Sequence, residues 1–301
     1  MTRTTRFQLR GAGRGMRKVV HKNLNRSFGG NMAIGFFLLL MGTVMALPMV
    51  YAISNAFKPM EEFFVFPPRF FVRNPTLANF GDLSRLLANT RVPFSRYVVN
   101  TLFISVVGTV GNVICSSLCA FAISKLRWRG KNVIFQIIVL SLMFSASVTS
   151  IPNYIIMKQL GFIDTYMALI VPAFATPLGL YLMKQFIDQM VPDSVLEAAK
   201  IDGAGVLRTF FVMVMPMVKP AWLTLVIFSF QGLWNTGTTS VIFREDLKTI
   251  NYAMSQILAG GIARSGAAAA ATVLIMIVPI LLFVVTQSNI VETLSTSGMK
   301  D

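Results

Sequence analysis

The feature that most constrains this chain is a succession of apolar runs, several of them close to twenty residues long. Crossing the hydrocarbon core of a bilayer as a helix takes about 20 such residues. Six runs read as spans, at about residues 32–53, 98–123, 133–149, 166–183, 221–234 and 267–286. Charged residues make up only 13% of the chain and hydrophobic ones 54%, whereas a soluble domain carries roughly twice that charged share. The expected fold is therefore an all-α integral membrane protein with six transmembrane helices. Asp164 and Thr165 are expected to cap the fourth span, and Pro172 and Pro177 to bend it. The fifth is short when measured from Pro220, so it either begins inside the preceding helix or is tilted.

Charge sets the expected orientation. A formal net charge of +15 could suggest nucleic acid, but the cations gather at the ends of the spans, which is the pattern of membrane topology. Residues 1–31 hold eight Lys/Arg and no acid. The run after them is too long for a signal-peptide core and lacks a convincing cleavage site, so it reads as an uncleaved first span. Both termini are then expected in the cytoplasm, with seventeen Lys/Arg inside and ten outside. The outer loop Phe57–Arg96 carries six of those ten; long loops translocate with less regard to charge. The domain plan is a basic tail at 1–31, a six-helix transmembrane domain at 32–287 with a cytoplasmic loop at 185–219, and a cytoplasmic tail at 288–301.

Several functions are argued against by what the spans lack. None of the six core runs contains Asp, Glu, Lys, Arg or His. Intramembrane ionisable groups mark proton relays and ion paths, and a membrane-embedded hydrolase needs acid, base or metal ligands. No catalytic residue and no metal site is assigned: His21 stands alone, and Cys115 and Cys119, one turn apart in an apolar run, read as small residues at a helix contact. Gly130-Lys131 lacks the upstream Gly and the following Ser/Thr of a phosphate-binding loop. Ser116 with Ala120, and Ala267 with Ala271, are small-residue pairs suited to close helix packing. Of the polar residues within spans, most read as interhelical hydrogen-bonding groups; Asn112, Gln231 and Asn235 are the candidates for a substrate path.

One polar island, Val191–Pro220, interrupts this apolar pattern. Pro192 ends the helix before it. Ser194 and Glu197 have the spacing of a capping box, and locally Glu197 needs no other role. Asp202-Gly203 is a natural helix stop. A second short helix should follow, over about 205–213, ending near Pro216. The island also reads Glu197-Ala198-Ala199, three residues, Gly203, nine residues, then Met213-Val214-Met215-Pro216. This resembles the EAA loop of ABC importer permease subunits, with Met replacing the Ile and Leu of the family pattern, a volume-conserving change. Leu160–Tyr166, Leu182–Phe186, Ile201–Ala204 and Trp234-Asn235 resemble the shorter permease of maltose-type carbohydrate importers.

The resemblance implies a bacterial inner-membrane, multi-pass permease that moves a sugar or oligosaccharide inward by alternating access. Its implied partners are a second permease subunit, two ATP-binding subunits, an extracytoplasmic solute-binding protein and membrane lipid, with no nucleic acid. This chain would hold no cofactor; ATP and Mg would be bound by the ATPase subunits. Glu197, Ala198, Ala199, Asp202, Gly203, Ala204 and Pro216 would form the loop that couples to the ATPase, with Gly203 allowing the turn and the alanines giving a small face. The alternatives are a permease of the same class for a non-sugar solute, or a carrier that works without an ATPase.

Overall fold

The computed structural model describes residues 28–88, 92–237 and 240–297. Within them the protein is helical, with no strand. The basic tail at 1–27 lies outside the described residues. Contacts divide the chain into two units, Met1–Met49 and Val50–Asp301. The first is the greater part of helix α1 (Phe28–Ala56), strongly apolar and with no side chain of its most apolar stretch buried.

The second unit begins with the last turns of α1, followed by α2 (Met60–Phe63), α3 (Ala78–Ala88) and the long α4 (Phe94–Lys125). Then come α5 (Lys131–Ser141), α6 (Ala146–Gln159), α7 (Met167–Phe174) and α8 (Pro177–Met190). The polar island holds α9 (Asp193–Ile201), α10 (Val206–Thr209), a π-helical turn at Phe210–Val214 and α11 (Met215–Met217). Next are α12 (Lys219–Trp234), α13 (Ile250–Leu258) and α14 (Ser265–Ser297).

Four described helical segments are long and apolar enough to cross a membrane: 29–56, 94–125, 167–190 and 265–287. A fifth arises if Val206–Met217 and Lys219–Trp234, bent by 83° at their junction, count as one. The expected third span does not form as one helix. α5 has 11 residues, about 16 Å of rise against a hydrocarbon core of about 30 Å. It ends at Ser141, whose hydroxyl donates to the Ile138 carbonyl at 2.6 Å. The N–H groups of Leu142, Met143 and Phe144 then donate three residues back, a tight turn that ends α5, and the helix restarts after Ser145 in extended conformation. α6 then runs to Gln159, through most of the stretch between the expected third and fourth spans. α14, in turn, continues to Ser297, through much of the expected C-terminal tail.

α4 is the central strut, packed against α7, α8, α12 and α13. Its contact surfaces are lined with small and hydroxyl residues, including Thr101, Ser105, Ser116, Ser117 and Ala120, all buried. Toward its C-terminal end it meets a core of Met183, Ile187, Phe210, Val214 and Ala221; toward its N-terminal end, one of Leu169, Ile170, Leu233 and Ile242. Ala267, Ala268, Ala270 and Ala271 of α14 pack on Leu83 and Ile257.

Pro177 produces the break between α7 and α8. Lacking an N–H, it leaves the Ala173 carbonyl without its helical donor. Asn112 supplies one: its Nδ2 donates to the Ala173 carbonyl and to Thr176 Oγ1, each at 2.7 Å. Its Oδ1 accepts from Ser116 Oγ at 3.0 Å. Gly179 lets α8 approach this knot, since a Cβ there would sit 2.7–2.8 Å from Thr176 Oγ1, Asn112 Oδ1 and Ser116 Oγ.

A second set of bonds ties the loop after α12 to the N-terminal end of α4. Asn100 Nδ2 donates to the carbonyls of Asp246 (2.8 Å) and Lys248 (3.0 Å), and its Oδ1 accepts from Tyr166 OH at 2.7 Å. Asp164 does not cap the following helix as expected. Its carboxylate reaches across to accept the N–H groups of Phe243 and Arg244, at 2.9 and 2.8 Å. These partners lie about eighty residues further along the chain, so no local rule would find them.

Replacing Asn112 by Leu should strand the Ala173 carbonyl and cost about 1–2 kcal/mol. A thermal melt of the detergent-solubilised protein should show a clear drop in midpoint. The same change at exposed Asn235 should leave the midpoint nearly unmoved.

Candidate functional site

The island folds as a hinged pair of helical segments on a buried foot. The capping box does not form. Pro192, in extended conformation, takes the cap position and α9 starts at Asp193, so Ser194 falls inside the first turn; no side chain caps this end. Asp193 is engaged instead by Lys125 Nζ at 2.8 Å. That hydrogen bond and the lysine's charge hold the Asp193 carboxyl below the usual carboxylate range. Beside it, Asp188 receives Ser124 Oγ and, at 2.5 Å, Lys184 Nζ. Lys184 Nζ also lies over the Phe135 ring, 4.4 Å from its centre. The C-terminal end of α4 is thus tied to the end of α8 and to the first turn of α9.

α9 ends in a Schellman motif. The Ala204 N–H donates to the Ala199 carbonyl at 2.9 Å and the Gly203 N–H to the Lys200 carbonyl at 3.1 Å. Gly203 has φ +73° and nothing near the position of a missing Cβ. Its requirement is conformational, not steric: the left-handed region is open to glycine and strained for most other residues. Gly205 then opens α10.

The foot lies in the helical run that follows. Phe210, Val214 and Val218, spaced by four, are almost completely buried against Phe121 of α4 and Met183, Ile187 and Val191 around α8. The rings of Phe121 and Phe210 are 5.4 Å apart. At Val218 the backbone leaves helical geometry, and α12 departs at 83°. Trp222 Nε1 reaches back over this joint to the Met215 carbonyl at 3.1 Å.

With the foot buried, the other face is open. Glu197, Ala198, Asp202, Gly203 and Pro216 are exposed, Ala204 is half-buried, and Ala199 is buried under α9. Around them stand exposed apolar side chains: Ile201 at 86%, Leu207 at 65%, Val212 at 63% and Phe211 at 53%. These four were not singled out from the sequence. The alternation of Leu207, Phe211 and Val212 with the buried Phe210, Val214 and Val218 at helical spacing is the pattern that would have found those three; Ile201 stands on α9, before the turn. An ordered, partly apolar surface of this kind is suited to binding another protein.

The three substrate-path candidates separate. Asn112 is buried, and its donors and acceptor are engaged in the knot described above. Gln231 and Asn235 lie one turn apart on an exposed face of α12, next to exposed Phe228; Asn235 Nδ2 donates to the Gln231 carbonyl at 2.9 Å. Among the described residues no group of His, Cys, Asp or Glu is arranged to hold a metal ion.

Comparison with known proteins agrees with this architecture. Over 222 residues, 74% of each chain, the protein is 32% identical to the polygalacturonan/rhamnogalacturonan transport system permease protein YtcP of Bacillus subtilis (strain 168). Over 160 residues, 53% of this chain and 57% of the relative, it is 32% identical to the sn-glycerol-3-phosphate transport system permease protein UgpE of Yersinia pestis bv. Antiqua (strain Antiqua). Its fold is similar to that in a crystal structure of a bacterial ABC transporter involved in the import of the acidic polysaccharide alginate. The TM-score is 0.73 at 21% identity, covering 88% of this chain and 98% of that one. Residues 94–295, from the start of α4 into the last helix, match the family described as binding-protein-dependent transport system inner membrane component. The protein is a multi-pass membrane protein and belongs to that family.

Proposed function

We propose that this chain is the permease subunit of an ATP-driven importer that brings a sugar or oligosaccharide into the cell, with the α9–α11 loop as its contact to a separate ATPase. The carrying observation is the loop's two-sided build. One side is an exposed surface of Ile201, Leu207, Phe211 and Val212 around Glu197 and Gly203; the other is a foot packed on α4 and α8. A displacement of the exposed side passes through Phe210, Val214 and Val218 into α4, α8 and α12 together. The Lys125–Asp193 pair carries it to α4 by a second route.

In this reading the two ATPase subunits bind ATP and Mg and close on nucleotide. The loop moves with them, and the helices of this chain and of a second permease rock between inward-open and outward-open forms. An extracytoplasmic binding protein delivers the solute. Gln231 and Asn235 present amide groups on the open face of α12, suited to hydroxyl-rich cargo. The chain sits in the bacterial cytoplasmic membrane with six crossings and both termini inside. A saccharide is favoured by the likeness to a polygalacturonan/rhamnogalacturonan permease and to an alginate importer. A non-sugar solute is the second reading, favoured by the likeness to a glycerol-3-phosphate permease.

Affinity purification of the tagged chain from gently solubilised native membranes should bring down a nucleotide-binding subunit and a second permease. Reconstituted with the binding protein, that complex should take up labelled oligosaccharide only when ATP is hydrolysed. A chain that purifies alone under conditions preserving such complexes would overturn the proposal.

Within that complex, Gly203→Val should strain the turn by about 1–3 kcal/mol. Uptake should fall at least tenfold while the chain still inserts and assembles, and Gly203→Asn, better tolerated at positive φ, should lose less. Gly203→Val with wild-type coupling of hydrolysis to uptake would remove the loop from the mechanism.

A further inference from the structure

The segment between α1 and α3 is built inside out. It closes on itself where the Thr76 N–H donates to the Phe57 carbonyl at 2.9 Å. Two of its charged side chains point inward. Lys58 is 2% exposed, and its Nζ donates to Asn55 Oδ1 at 3.0 Å and to the Arg69 carbonyl at 2.9 Å. The Tyr51 and Phe63 rings lie 5.7 and 5.5 Å from the same nitrogen. Glu62, also buried, accepts the N–H groups of Arg73 and Asn74 at 3.3 and 3.1 Å. Ser54 Oγ donates to the Phe70 carbonyl and accepts from the Val72 N–H. Phenylalanines point outward: Phe66 is 91% exposed, Phe71 68% and Phe64 65%.

A loop in water would do the reverse. Holding rings on an ordered scaffold, with nearby charges turned in, suits apolar surroundings. The position in the fold says which. The loop starts at the last residue of α1, which is apolar along a length that crosses a bilayer. The Arg69 carbonyl is pinned to Lys58, two residues past that helix. Phe66, three residues before Arg69, therefore lies within about 10 Å of the pinned point. The headgroup layer on each side of the core is about 5–8 Å thick, so Phe66 is within reach of it. The aromatic surface is also continuous with the helix: Tyr51 lies 5.3 Å from Phe70, and Phe70 lies 5.0 Å from Phe71, ring centre to ring centre. Exposed Arg73, two residues after Phe71, supplies a cation suited to lipid phosphate.

We propose that Lys58–Pro75 is an interfacial anchor, which sets Phe64, Phe66 and Phe71 among the lipid headgroups and upper acyl chains at the C-terminal end of α1. It holds that end at a fixed depth while other helices rock. This rests on the chain's crossing of the membrane and not on the solute carried, so a failed uptake assay would leave it standing.

The test places a nitroxide spin label at Phe66→Cys and, separately, at Phe71→Cys. Cys115 and Cys119 are first replaced by Ala, and the complex purified from native membranes is reconstituted in phosphatidylglycerol/phosphatidylethanolamine vesicles. Both side chains are exposed, so the replacements leave the inward scaffold intact. At both positions, collisions with dissolved oxygen should exceed those with a water-soluble nickel chelate severalfold. Preferential collision with the chelate would place the rings in water and overturn the anchor. Immobilised labels shielded from both probes would put a protein partner on the patch, and overturn it equally.

Discussion

A carbonyl that loses its donor inside a membrane protein must find another, because no bulk water is there to replace it. Pro177 creates that need at Ala173, and Asn112 meets it. The arrangement of α4, α7 and α8 depends on this exchange. The break interrupts the helical ladder between α7 and α8, the amide welds it to the central helix, and Gly179 clears the space in which they meet. The proline alone would weaken a span; the proline with its asparagine turns it into a jointed element with a fixed position on α4.

α4 is then held at both ends by groups far away in sequence. At its N-terminal end Asn100 and Tyr97 bind the loop after α12, through the carbonyls of Asp246 and Lys248 and the carboxylate of Glu245. At its C-terminal end Ser124 and Lys125 bind Asp188 and Asp193. A helix of 32 residues is about 48 Å long, longer than the hydrocarbon core. Its polar ties therefore sit toward its two ends, where water or headgroups lower the cost of charge, and its middle is joined through Asn112. One long helix thus connects the exposed loop at α9 with the loops at the opposite end.

Much of this was legible in the residues. Apolar runs marked α1, α4, the α7–α8 pair and α14, since membrane length leaves a strong pattern. The small pairs Ser116/Ala120 and Ala267/Ala271 are buried at contacts, as their spacing suggested. Asp202-Gly203 closes α9 because a positive φ leaves few residue choices. Where the reading departed from the structure, a competing local interaction prevailed. The tight turn at Leu142–Phe144 divided the expected third span, and Pro192 moved the start of α9 so that Ser194 and Glu197 could not cap it. Asn112 looked like a polar group available to a solute, because a side chain's partner across 61 residues leaves no mark on its own neighbours in sequence.

The sequence by itself determined that this is a helical membrane protein carrying one ordered polar loop with a glycine turn. Those properties follow from run length, composition and backbone chemistry, which are local. Only the tertiary structure decided which face of that loop is buried and which is open, that Asp164 and Asn100 fasten the loop after α12, and that Lys58 and Glu62 turn inward beneath exposed phenylalanines. Each of these is a choice among partners that residue type allows equally. For the loop after α12 the choice is made by the packing around α4, which brings the partners within hydrogen-bonding distance; for Lys58 and Glu62 it is made by closure of their own segment between Phe57 and Thr76.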